Sequence, residues 1–274
     1  MLGRLIAVVA AALSVVLPAA GLPVTQTSGR TLVWSDGFNT RAGKSPDSGK
    51  WHFDLGGNGW GNTELQCYTS SRVNASTDGH GKLVISAVKD PNHNCGNSTH
   101  NTYTSARITT QNSFNITHGR LQIRAKVPAG VGTWPAFWAL GSNINTVGWP
   151  HSGEIDVMEY VGRLPYRSTS SVHGMAWDTS HWYMTRVHAS TKKLSAGFHT
   201  YAVDWTSTKM TFLVDGKATG SVTKKDVLKH GEWVFDKPFY LLTNLAVGGM
   251  LGGAVPSSTT WPQKLVIDYI RVYH

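Results

Sequence analysis

The chain carries the segment Glu154-Ile155-Asp156-Val157-Met158-Glu159-Tyr160, three carboxylates in a frame of Ile, Val, Met and Tyr. The frame predicts a buried or half-buried strand. Carboxylates are almost never fully buried unless they are paired or chemically employed. Three on one short strand repel one another and lose hydration, which raises their pKa values. One carboxyl kept protonated beside another kept ionised is what acid/base attack on a glycosidic bond requires. The competing reading is an edge strand with a solvated acidic face.

Strand parity sharpens the chemistry. Side chains alternate with period 2, so Glu154 and Asp156 share a face while Glu159 falls on the other. One β-bulge between Asp156 and Glu159 returns Glu159 to the common face. The two glutamate Cα atoms are then roughly 13 Å apart, at about 3.3 Å per residue. Side chains leaning together can close that to the ~5–5.5 Å carboxyl gap of a retaining glycosidase. The spacing alone also fits the wider gap of an inverting enzyme.

The elements that must hold this strand are themselves strands. Leu121, Ile123, Ala125 and Val127 alternate with polar residues. Tyr201, Val203 and Trp205 do the same, as do Met210, Phe212 and Val214 ahead of an Asp215-Gly216 hairpin turn. Further strands are expected over 83–88, 239–245 and 265–272, and the only helix candidate is a turn near Asp226–His230. Many short strands without a linker or repeat predict an all-β sandwich of two antiparallel sheets, of jelly-roll type. One domain is expected from about residue 28 to His274.

Residues 1–21 stand apart. Arg4 precedes the apolar run Leu5–Leu17 and the small residues Ala19-Ala20-Gly21, the pattern of a secretory signal peptide. The run is shorter than the ~20 apolar residues that span a bilayer, so a secreted protein free of the membrane is expected. An oxidising compartment favours a disulfide between the two cysteines, Cys67 and Cys95. A metal is the weaker reading, with His93 and His100 near Cys95 but no second pair at ligand spacing. The net charge is +9, or +8 once Arg4 is removed, yet no basic run or nucleic-acid motif accompanies it. It reads as a surface property, with adhesion to anionic cell-wall material as the minor alternative. Asn74, Asn97 and Asn115 begin glycosylation acceptor triplets.

Aromatic and polar residues surround the acidic strand in sequence. Trp134 and Trp138 are four apart and share a strand face. Trp138 reads equally well as core, whereas Trp134, beside Pro135, reads as groove lining, as does Trp149 before Pro150. The Gly-rich stretch from Gly56 to Gln66 lets backbone approach a ligand and offers Asn58, Trp60, Asn62 and Glu64. His173 sits where a neighbouring strand would begin and could reach the cleft.

At these residues the chain resembles glycoside hydrolase family 16, and within it the bacterial endo-β-1,3-glucanases (laminarinases). The likeness spans Val33-Trp-Ser-Asp-Gly-Phe38, Gly59-Trp-Gly-Asn-Thr-Glu-Leu-Gln66, Gly132-Thr-Trp-Pro-Ala-Phe-Trp138, Gly153-Glu-Ile-Asp-Val-Met-Glu159, Val172-His-Gly174, Asn244-Leu-Ala-Val-Gly-Gly249 and Asp268-Tyr-Ile-Arg-Val-Tyr273. The resemblance implies a jelly-roll sandwich with an open, concave substrate cleft and a monomeric enzyme acting on β-glucan, without a required cofactor. It implies Glu154 as nucleophile, Glu159 as general acid/base and Asp156 as the group that hydrogen-bonds the nucleophile. Trp134, Trp149, His173, Asn58, Glu64, Arg107 and Asn244 become cleft contacts. A structural calcium is implied near Asp268, although Gly37 stands where the family often has a glutamate ligand. Met250-Leu251 follows Gly249 where laminarinases usually have a Trp. The alternatives are a family 16 hydrolase of another β-glycan, mixed-linkage β-1,3-1,4-glucan or galactan, and a non-catalytic glucan-binding protein. The last typically lacks the carboxylates that this chain keeps.

Overall fold

The computed structural model describes residues 29–96 and 101–274. The expected export signal, His100 and the Asn97 acceptor lie outside the described residues. Residues 31–274 form one compact unit.

The chain opens with β1 (Leu32–Asp36), β2 (His52–Asp54), β3 (Gln66–Tyr68), β4 (Ala75–Thr77), β5 (Leu83–Lys89) and β6 (Tyr103–Ser105). It continues with β7 (Arg107–Thr109), β8 (Gly119–Lys126), β9 (Thr133–Gly141), β10 (Glu154–Tyr160), β11 (Arg167–Met175) and β12 (His181–Ala189). It ends with β13 (His199–Trp205), β14 (Lys209–Val214), β15 (Lys217–Thr223), β16 (Phe239–Val247) and β17 (Gln263–Tyr273). One sheet runs β12-β11-β10-β9-β16-β7-β2. The other runs β15-β14-β13-β8-β17-β5-β6-β3, with β1 beside β17 and β4 beside β5. The pairings are antiparallel except β3 with β6.

Alternation decides what each sheet buries. Leu121, Ile123 and Ala125 of β8, Val203 of β13 and Phe212 of β14 are fully buried. They share one core with Phe137 and Ala139 of β9, Ile155 and Val157 of β10, and Leu241 and Leu245 of β16. Burying each large side chain stabilises by about 1.5–3 kcal/mol. The expected hairpin joins β14 to β15, with Asp215 at φ 48° and Gly216 at φ 77°. Both central residues at positive φ give the turn whose twist matches its strands.

Helix is sparse, but the single expected turn is an undercount. Among the described residues α1 (Ile144–Val147), α2 (Lys224–Val227) and α3 (Gly249–Gly252) each have four residues. The expected turn at Asp226–His230 is α2, which starts earlier because Thr223 caps it, its Oγ1 accepting from Asp226 N at 3.2 Å. Glycine-rich and Asn-rich flanks hid the other two. Cys67 and Cys95 form the disulfide, with Cα atoms 5.8 Å apart. Asn74 is buried, and its amide donates to Ser86 O and Thr104 Oγ1. That acceptor is closed to a glycan, whereas Asn115 is exposed.

Candidate active site

The acidic strand is β10, and it lies inside its sheet between β9 and β11. The edge-strand reading is therefore wrong. Against β11, Glu154 pairs with His173, Asp156 with Ser171 and Glu159 with Thr169, with a register shift between Asp156 and Glu159. Against β9 the shift falls between Asp156 and Met158. This is the bulge that parity demanded, and it places all three carboxylates on the outer face. There they line a cleft of about 640 Å³. The apolar residues of the same strand, Ile155 and Val157, fill the core beneath.

Burial sets the charge of the trio. Asp156 and Glu159 are buried, and Glu154 is half-buried. Loss of hydration, with repulsion from Asp156, pushes Glu154 up to about 8. Loss of hydration also pushes Glu159 up to about 7, with Glu154 adding to the push and His173 opposing it. Asp156 is held well above its ordinary range by burial and then by Glu159. Each carboxylate has a distinct partner. Trp149 Nε1 donates to Glu154 Oε2 at 2.8 Å, and Trp134 Nε1 donates to Glu159 Oε1 at 3.1 Å. His173 Nε2 lies 2.9 Å from Asp156 Oδ2.

The opposite wall is built on β7, β9, β16 and the 56–66 loop. The Arg107 guanidinium lies between the Trp60 and Trp138 rings, 4.7 and 4.6 Å from their centroids, and is ion-paired with Asp54 at 2.8 Å. Trp138 Nε1 donates to Asn244 Oδ1 at 2.8 Å, and Asn244 Nδ2 donates to Tyr68 Oη at 2.9 Å. Glu64 is buried, and its carboxylate accepts from Asn62, Gln66 and Tyr68. Burial raises its pKa, against those bonds and Arg107. The loop docks on β16 and its end, where Leu65 N donates to Val247 O and Met250 N to Asn62 O. A Cβ on Gly248, at φ +68°, would sit 2.6 Å from Leu65 Cδ1, so the close approach needs glycine.

A cleft that holds three pKa-raised carboxylates on a bulged strand, walled by indole rings, has the parts for hydrolysing a sugar polymer. The sequence profile of Glycosyl hydrolases family 16 matches residues 62–271. The chain belongs to that family. It is a glycoside hydrolase with the jelly-roll fold. A β-glucanase of Rhodothermus marinus is 39% identical over 254 residues, covering 88% of this chain and 84% of the relative. A glucan endo-1,3-beta-glucosidase of Cryptopygus antarcticus is 40% identical, covering 88% and 90%. The catalytic domain of a Thermotoga petrophila endo-1,3-beta-glucanase (laminarinase) superposes with a TM-score of 0.80 at 37% identity, covering 89% of this chain and 98% of the other.

Within this family 16 site, Trp134, Trp149, His173, Glu64, Arg107 and Asn244 all line the cleft. Asn58 does not. It is exposed and caps its own turn, its Oδ1 accepting from Trp60 N at 3.1 Å. Trp138, which read equally well as core, lines the cleft. Tyr68, His181, Tyr183 and Thr185 line it without having been singled out. Their signal was available for the last three: Asp178-Thr-Ser is a turn, and a hairpin there sets Tyr183 opposite His173. His173 itself is the seventh residue of a strand that begins at Arg167.

Cation sites can be weighed from the donors. Asp268 is ion-paired with Arg124, and both carboxylate oxygens of Asp36 are used, by Phe38 N and Trp51 Nε1. With Gly37 lacking a side chain, the residues there do not fit a calcium site built on carboxylates. Among the described residues, one trio has metal-ligand spacing: Glu154, Asp156 and His173, with donor atoms within 4.8 Å of one another. Those groups are already engaged with Trp149, with His181 and with one another.

Proposed function

We propose that this chain is a secreted endo-β-1,3-glucanase that cleaves internal linkages of laminarin-like β-glucans with retention at the anomeric carbon. The bulge in β10 carries the reading, because it alone puts Glu154, Asp156 and Glu159 on one cleft face. The endo-1,3-beta-glucanase activity of the Cryptopygus and Thermotoga relatives supports the linkage. Residues 1–21 act as the export signal in this reading, the family 16 domain runs from about residue 28, and the disulfide agrees with an oxidising destination.

The roles follow from proton positions. Glu159 protonates the leaving oxygen while Glu154 attacks the anomeric carbon, giving a glycosyl-enzyme. Glu159, now a carboxylate, then takes a proton from the water that hydrolyses it. Glu154 can attack only as a carboxylate, yet burial places it at about 8 and Glu159 at about 7. The nucleophile must therefore shed its proton within the cluster. Asp156 accepts a hydrogen bond from the Glu154 carboxyl and is the adjacent oxygen base toward which that proton can shift. Trp149 stabilises the resulting charge.

Proton NMR of fresh laminarin hydrolysate tests the reading: the β-anomer should appear first. Glu154→Gln should lower kcat by at least about 10³-fold, the size of losing a nucleophile. Initial release of the α-anomer, or wild-type turnover by Glu154→Gln, refutes the mechanism. A faster rate on lichenan, agarose or carrageenan than on laminarin refutes the linkage.

A further inference from the structure

The cleft does not stop at the catalytic strand. β11 and β12 continue the sheet to its edge. Glu154 pairs with His173, and His173 pairs with Tyr183, so one row of side chains crosses three strands. With period 2, His181, Tyr183 and Thr185 face the cleft, while Trp182 is buried and Met184 packs against the core.

Tyr183 leaves 62% of its surface in solvent, yet its ring is held in place. It stacks on His173 and on His181, with centroids 5.7 Å away in each case and planes 24° and 26° apart. The two imidazoles are themselves parallel within 6°, joined by a 2.9 Å contact from His173 Nδ1 to His181 Nε2. Trp149, 4.7 Å from His181, closes the row at the catalytic end. An exposed ring already stacked on two neighbours has less freedom to lose on binding, which makes a preorganised surface. The apolar C–H face of a pyranose is the complementary partner, because its hydroxyls can remain in water at the rim.

We propose that Tyr183, backed by His173 and His181, forms a glucan-binding subsite at the sheet edge, beyond the bond being cleaved. The proposal rests on the glucanase reading above. Its ligand is a β-linked glucosyl unit of a chain that runs on past the catalytic centre. Two strand spacings put β12 about 10 Å from β10. A short oligosaccharide bound over Glu154 falls short of that edge, and a long one reaches it.

The test uses the full-length protein with Glu154→Gln to stop turnover, and laminarin oligosaccharides of increasing length in a titration calorimeter. Adding Tyr183→Ala should weaken the longest ligand about tenfold, the equivalent of about 1.4 kcal/mol, and the shortest binding ligand by less than about twofold. Tyr183→Phe keeps the ring and should hold the affinity of the parent. Circular dichroism should show both variants folded, since an exposed side chain leaves no core void. Equal losses on short and long ligands, or no loss on the long one, overturn the subsite. A loss with Tyr183→Phe as large as with Tyr183→Ala overturns the stacking. Absence of any β-1,3-glucan binding in the Glu154→Gln parent refutes the glucanase reading itself.

Discussion

The buried carboxylates should make this protein less stable as pH rises, and Glu154→Gln should relieve part of that. Glu154 moves from an ordinary 4.5 to about 8 on folding. A folded pKa above the unfolded one means that the native state binds the extra proton. Stability contributed by that proton is full below about 4.5, falls as pH rises toward about 8, and is flat beyond both. At pH 7, about 2.5 units above the ordinary value, the folded protein is penalised by about 3 kcal/mol for this group alone. Part of the shift is repulsion from Asp156, which itself tends to hold a proton, so about half survives as an independent contribution. Gln keeps the shape and can still accept from Trp149 without a charge to desolvate. The variant should therefore gain about 2 kcal/mol at pH 7, or about 4–8 °C in Tm for a domain of this size. Thermal melts of both proteins at pH 4, 7 and 9, at one ionic strength, measure it. The gain should be near zero at pH 4 and grow with pH. A gain of equal size at pH 4 and pH 9, or a variant less stable than wild type at pH 9, refutes the argument that desolvated charge is the cause.

Two further outcomes follow from single contacts. Trp134→Phe removes the indole N–H that favours the Glu159 carboxylate, so the Glu159 pKa should rise by about 0.7 units for a bond worth about 1 kcal/mol. Carboxyl carbon NMR reads that rise directly; a Glu159 pKa that stays or moves down refutes the assignment. Replacing Cys67 and Cys95 together by Ser opens a 28-residue separation and should lower unfolding free energy by about 3–4 kcal/mol, read by urea denaturation.

What the sequence revealed depended on whether the signal was local. Glu154, Asp156 and Glu159 lie within one strand, so parity alone required a bulge and located it. The strands of β8, β13 and β14 were equally plain, because one face of each is fully buried and alternation is strict. The far wall was harder. Trp138 has neighbours on a strand face that core and cleft share in composition, and only the pairing of β9 with β16 sets it beside Asn244. Asn58 sat in a ligand-like loop, but a short Asn there satisfies its own turn first. Tyr183 and His181 needed the register of β11 against β12, which only the Asp178-Thr-Ser turn between the strands carries, not a pattern within either one.

The same strand has to be both core and active site, and that dual duty explains its composition. Its inward residues, Ile155 and Val157, anchor β10 against the second sheet, which keeps the carboxylates from relaxing toward water. A floppy acidic loop would let each carboxylate hydrate and return to its ordinary pKa. Rigid burial holds the three acids together, so Glu154, Asp156 and Glu159 all keep raised pKa values. The instability at high pH and the capacity for proton transfer therefore have one origin. A substitution that stabilises the fold by removing a charge from this cluster should, for that reason, weaken hydrolysis.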